Sequence, residues 1–188
     1  MRVIAGKYRG LVLKGPKHKG LRPTADRVRE AIFNIIGARI IDAVFLDLFA
    51  GTGAIGIEAL SRGAHFVVFN DHNFQSIRLL QENLKIVAAD TQCKILQSPA
   101  DLSLIRLAKD GLQFDLIFLD PPFEAGVQLL PQIITGIKEY RLLKEDGWLI
   151  VEHPQKTEIN APGFTQRLSR SYGDISLSIF NNESTAEA

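Results

Sequence analysis

Only one cysteine, Cys93, is present among 188 residues, so an intramolecular disulfide and a cysteine-based metal site are both excluded. No uninterrupted apolar run approaches the roughly 18 residues that a bilayer-spanning helix needs. The opening stretch "MRVIAGKYRG" lacks the apolar core and small-residue cleavage site of a signal peptide. His18, His65, His72 and His153 show no metal-ligand spacing, so they read as surface or structural residues and no metal is expected. Internal repeats and low-complexity segments are absent too. The length fits one domain, and a cytoplasmic protein is the expectation.

What is present is unevenly spread. Residues 1–30 carry nine Lys and Arg against Asp26 and Glu30, a charge of +7, whereas the other 158 residues sum to −6. A basic arm on an acidic body suggests that one part of the molecule meets a polyanion. The arm, taken as residues 1–22, has two short β-like runs, Arg2–Ala5 and Leu11–Leu13, around a glycine-containing turn, which reads as a hairpin. "KHKGLRP" connects it to a helix that Thr24 can N-cap, with Asp26 in its first turn and Val28, Ala31, Ile32 and Ile35 as an apolar stripe.

From there the pattern alternates. Strands are expected at Ala43–Phe49, Phe66–Asn70, Cys93–Leu96, 114–120 and Trp148–Glu152. Helices fall between them, at about 53–61, 72–88, 101–109 and 126–139. In the helix at 72–88, Phe74, Ile77, Leu80, Leu84 and Val87 share one face. Phe164–Tyr172 and Ile175–Phe180 close the chain as an antiparallel hairpin, and the closing "NNESTAEA" reads as frayed, with the tail taken as 182–188. The fold class is therefore α/β: a Rossmann-like, seven-stranded, mostly parallel sheet with a C-terminal antiparallel hairpin, over residues 23–181.

In such sheets ligands bind beyond the carboxyl ends of the strands, where strand order reverses. The loop "DLFAGTGAIG" lies there, with Gly51, Gly53 and Gly56 in the order G-x-G-x-x-G. That pattern suits the pyrophosphate of NAD or the carboxylate of S-adenosylmethionine. Asp47 separates the two. A carboxylate about 4 Å from a pyrophosphate charge costs on the order of 4 kcal/mol at an effective dielectric near 20. The α-ammonium of S-adenosylmethionine is instead attracted. Asp71, ending the second strand, suits the ribose hydroxyls of either cofactor, and the bland alternative for Asp47 is a local turn cap.

The second informative stretch is "LIFLDPPFE", residues 116–124. Consecutive prolines donate no backbone hydrogen bonds and hold the chain extended just past a buried strand. Asp120, the carbonyl of Pro121 and the ring of Phe123 are then presented at the same sheet edge. Two acceptors suit an exocyclic amine, whose N–H groups they would hold while its lone pair meets a sulfonium methyl group, a catalysis of positioning and electrostatics. Phe123 would stack on the base, worth about 1–3 kcal/mol, and the base would have to be flipped out of its own stack.

Together these motifs resemble the class I S-adenosylmethionine-dependent methyltransferases. "RVIAGKYRG", "LRPTADRVREAIFNII", "FLDLFAGTGAIGIEALSRGA", "FDLIFLDPPF" and the terminal "YGD" are similar to the bacterial RsmD-type family, nearly along the whole chain. The resemblance implies methylation of a guanine N2 amine in 16S rRNA within a small-subunit ribosomal particle. It implies cofactor contacts from Asp47, Phe49, Ala50, Gly51, Thr52, Gly53, Asp71 and Ala100, with Thr24 folding over the pocket. Asp120, Pro121 and Phe123 would surround the amine, and Arg2, Lys7, Arg9 and Arg22 would contact RNA, with Lys14 of the same basic arm expected beside them on its charge. Two features depart from the family pattern. Pro99 stands before Ala100 where an acidic or amide residue often reads the adenine, and the second strand ends "FNDHN". The rival readings are an N6-adenine DNA methyltransferase, an NAD-dependent oxidoreductase and a noncatalytic RNA-binding module.

Overall fold

A computed structural model describes residues 1–15 and 23–183, without the side chains of residues 23–25, 90 and 123–126. The connector 16–22, with Arg22, and residues 184–188 therefore lie outside the described residues, as do the side chains of Thr24 and Phe123.

Seven strands form one sheet: β1 (Val44–Asp47), β2 (Phe66–Asp71), β3 (Cys93–Gln97), β4 (Phe114–Leu119), β5 (Leu143–Pro154), β6 (Phe164–Tyr172) and β7 (Ile175–Asn182). Their order is β3-β2-β1-β4-β5-β7-β6. The first five pair in parallel, and β7 runs antiparallel to both β5 and β6. Five helices connect them: α1 (Pro23–Ile36), α2 (Ala54–Ser61), α3 (Phe74–Val87), α4 (Ala100–Lys109) and α5 (Phe123–Glu139). Among the described residues, no helix is long and apolar enough to cross a membrane.

The central strands are buried on both faces, as continuous apolar runs such as "FDLIFL" require. Phe45, Phe69, Phe118 and Ile150 feed one core cluster, and Leu46, Val68, Ile117 and Leu149 feed the other. Sequence order reverses between β1 and β4, which leave the sheet centre in opposite directions. That gap is the topological switch point.

Several boundaries differ from the expected ones. α1 begins with Pro23 at its first position, where proline's missing N–H costs nothing, so Thr24 is inside the first turn and does not cap it. Asp47 ends β1 instead of interrupting it. On α3, Asn73 is the cap, its side chain accepting from the N–H groups of Gln75 and Ser76. Phe74 is 65% exposed at that helix start, and Asn83 takes a buried place on the inner face.

The N-terminal segment turns back on itself through a bridge between Arg2 and Val12. Backbone bonds from Val3 N to Leu11 O and from Leu13 N to Met1 O flank it. Val3, Tyr8 and Leu13 are buried in the first core cluster, so the segment is packed onto the sheet's helical layer.

Candidate active site

Register places four carboxylates at the carboxyl ends of four neighbouring strands. Asp47 pairs with Phe69 on β2 and Phe118 on β4, and Phe118 pairs with Ile150 on β5. Two residues further along each outer strand come Asp71, Asp120 and Glu152, returned to the same face by the period of two. Asp47 thus sits one step deeper, 2% exposed, below a row of three acids at the strand ends. With strands about 4.8 Å apart, the row spans the switch point. A cleft of about 610 Å³ opens over it, walled by Phe49, Gly51, Asp71, Asp120, Pro121 and Glu152. His153 of β5, with Asp174 and Ile175 of the C-terminal hairpin, forms the far wall.

The three glycines of the loop do different work. Gly51 has φ +53°, and a Cβ there would meet no protein atom, so its Cα faces open space beside the cleft. At Gly53 a Cβ would collide with Leu80, and at Gly56 with the ring of Phe69. These two let α2 pack closely on α3 and β2. Asp71 fixes the loop, its Oδ2 accepting from the Gly51 N–H at 2.9 Å and its Oδ1 from Asn73 N–H at 2.8 Å.

Asp47 Oδ2 accepts from the Gly56 N–H at 3.1 Å in the first turn of α2. Oδ1 accepts nothing from the described residues. One oxygen caps the helix, and Asp47 lies buried beneath the cleft and not in its lining. The cap residue Gly53 supplies no side chain to α2, whose start thus keeps N–H groups for an anion. An ammonium and a carboxylate on one carbon fit this pair of sites.

Burial is the main reason the Asp47 carboxyl is pushed up to about 7; the Gly56 hydrogen bond opposes this, and the charges of Asp120 and Asp71 add to it. Asp120 is exposed at the cleft wall, and desolvation there raises its carboxyl too. Glu152 is pushed up by burial first and by Asp120 second. So many acids in one recess disfavour a polyphosphate and favour a cation.

The remaining sequence-derived positions fall as follows. Phe49 lines the cleft; Ala50 donates its N–H to Asn70 O and is buried; Thr52 O accepts from Asn83 beneath the loop. Pro121 is buried at the cleft wall and Pro122 precedes α5. Ala100 packs against the second core cluster, and Asp101 faces a separate groove between α4 and α5, so neither lines the cleft. Arg2, Lys7, Arg9 and Lys14 are exposed. Lys14 pairs with Glu82 at 2.9 Å, whereas Arg9 has no ion pair among the described residues.

Sequence reasoning did not single out Glu152 or Glu58. Glu152 carries the same signal as Asp47 and Asp120, an acid at the carboxyl end of an apolar strand, in "WLIVEHP". Glu58 is fully buried in α2 and accepts from the N–H groups of Ile4 (2.8 Å) and Ala5 (3.0 Å) and from Arg62 Nε (2.8 Å). Buried Arg29 reaches Arg2 O at 2.6 Å, with its Nε 3.9 Å from Glu58. No periodicity announces such an anchor, because its partners are backbone groups more than fifty residues away.

Residues 1–181 match the family described as conserved hypothetical protein 95. YlbH of Bacillus subtilis strain 168 is 41% identical over 159 residues, 85% of each chain. Ribosomal RNA small subunit methyltransferase D of Escherichia coli K12 is 40% identical over 152 residues, covering 81% of this chain and 71% of the relative. The solved structure of yhhF from Escherichia coli superposes with a TM-score of 0.86 at 32% identity, over 98% of this chain and 99% of that one.

Proposed function

The chain belongs to the conserved hypothetical protein 95 family, that of ribosomal RNA small subunit methyltransferase D, and from that premise we propose that it is an rRNA methyltransferase. The acceptor in this reading is the exocyclic N2 amine of one guanine in 16S rRNA, presented by a small-subunit ribosomal particle. S-adenosyl-L-methionine supplies a methyl group made electrophilic by its sulfonium. The observation that carries the reading is the row of acids at the switch point, with Asp47 holding the Gly56 N–H at the start of α2.

Asp47 Oδ1 holds the donor's ammonium while the α2 N–H groups hold its carboxylate, and Asp71 takes the ribose hydroxyls. Phe49, Ala50, Thr52 and Gly53 shape the loop, with Ala100 and Thr24 assigned to the pocket by the family pattern. Asp120 and the Pro121 carbonyl hold the amine, Asp120 receives the proton released after transfer, and Phe123 stacks on the base. The test is incubation with labelled donor and small-subunit particles from cells lacking the protein, followed by mapping of the labelled nucleotide. Label on a guanine N2 is expected; label on an adenine, or none on the particles and transfer to DNA in a parallel incubation, overturns the reading.

Donor affinity should depend on pH through Asp47. The carboxyl must be ionised to pair with the ammonium, and in the free protein it is protonated below about 7. Calorimetric affinity therefore rises with pH by up to about tenfold per unit below 7 and levels off above it. Asp47→Asn should be weak throughout and lack that rise; a wild-type profile in the variant would remove Asp47 from the role.

The arm contributes Arg2, Lys7, Arg9, Lys14 and Arg22 to RNA contact. Removing one phosphate contact lowers the slope of log affinity against log salt by about one. Arg9→Ala should show that full change, and Lys14→Ala less, because Lys14 already pairs with Glu82. An unchanged slope at Arg9 would put the RNA elsewhere.

A further inference from the structure

Glu152 lies in the cleft without a task. Across the sheet from the glycine loop the acids run Asp71 on β2, Asp47 on β1, Asp120 after β4 and Glu152 on β5. Glu152 is therefore beyond Asp120, on the side away from the cofactor loop. Leu119 pairs with Val151, so Glu152 is the next residue along, directly beside Asp120. The Glu152 carboxyl makes no hydrogen bond or ion pair with the described residues. Its neighbour His153 cannot serve it, since Nε2 is 2.8 Å from Ser178 Oγ and Nδ1 is 3.0 Å from Pro154 O. An acid kept unpaired in a recess carries a desolvation cost, which a hydrogen-bond donor placed there relieves.

Resting on the function proposed above, we propose that Glu152 reads the target base, accepting the ring N1–H of guanine beside the amine held by Asp120. The Watson–Crick edge of guanine presents the amine and N1–H side by side, two donors for two neighbouring carboxylates. Adenine presents its amine beside a bare N1 lone pair, which would face a carboxylate oxygen. Flipped bases are read on this edge, and a site built to accept an N–H rejects an analogue lacking it, because its own buried group is left unpaired. Glu152 is thus a specificity-determining residue, distinct from the amine-holding Asp120–Pro121 corner.

The test uses 2-aminopurine in place of guanine at the mapped position of the RNA, at a pH above the value of about 8 to which burial and Asp120 push Glu152, so that its carboxylate is ionised and accepts. This base keeps the N2 amine but carries a lone pair at N1. Wild-type protein should favour guanine strongly in kcat/KM. Glu152→Gln can turn an amide N–H toward N1, and its guanine-to-2-aminopurine ratio should fall at least tenfold, the scale of one good base contact. The variant is isosteric and removes a charge that burial opposes, so folding is retained. A merely structural role would change both substrates together and leave the ratio unmoved; an unmoved ratio overturns the assignment of Glu152 while guanine methylation stands. Wild-type transfer to adenine at that position, with none to guanine, overturns the guanine reading itself and this assignment with it.

Discussion

Replacing Asp120 with alanine is expected to lower kcat for methyl transfer by about 10²–10⁴-fold, the range of a positioned proton acceptor, while donor affinity at pH 8 changes only a few-fold. The split follows from position. Asp120 stands one residue past β4, across the switch point from the loop that carries Asp47 and Gly51. Removing its carboxylate takes an acceptor from the amine and leaves the donor's contacts intact. It also takes a negative charge from beside Asp47, which that charge helps to raise. The pH at which donor affinity levels off should therefore move downward from about 7 in the variant. Single-turnover transfer with saturating donor, together with calorimetry across pH, measures both effects. Wild-type turnover in Asp120→Ala would reduce the Asp-Pro-Pro corner to a strand terminator.

Why this site could be read from the chain at all is a matter of local chemistry. Asp47 and Asp120 stand out because each is an acid inside or ending an apolar strand, and parallel sheets bring the carboxyl ends of all strands to one edge. The same rule applies to Glu152, an acid that follows the apolar run of β5, although it was not singled out. The glycine loop was legible as a ligand loop, though not in its division of labour. Only the packing of Leu80 and Phe69 reveals that Gly53 and Gly56 are close-approach residues. Exposed Phe74 and buried Asn83 on α3 mark the limit of periodicity. A helix start can tip its first residue outward, and a polar side chain can be buried when backbone carbonyls wait for it, as those of Lys14 and Thr52 do for Asn83.

Replacing Glu58 with alanine is expected to be the most destabilising single change, because the N-terminal segment is held by this carboxylate. Its oxygens accept two backbone N–H groups from the segment and the Arg62 side chain, all with 1% side-chain exposure at the acid. Truncation leaves those donors and buried Arg29 without their anion, and breaking a buried charge pair costs roughly 3–5 kcal/mol. For a domain of this length that corresponds to a fall in Tm of about 10 °C. Gly6 reinforces the attachment: its φ is +81°, and a Cβ there would run into the backbone of Ser61, whose carbonyl accepts from Lys7 N–H and whose hydroxyl accepts from Tyr8 N–H. Glu58→Gln keeps the shape and one acceptor, so it should lose less. The consequence reaches function because Arg9 and Lys7 ride on this attachment. At a temperature where Glu58→Ala remains folded, protease should cut within the first fifteen residues, and RNA affinity should lose the salt slope that Arg9 supplies while donor affinity holds. A Glu58→Ala protein with wild-type Tm and an intact slope would show that the arm is fixed by its apolar contacts, Val3, Tyr8 and Leu13, alone.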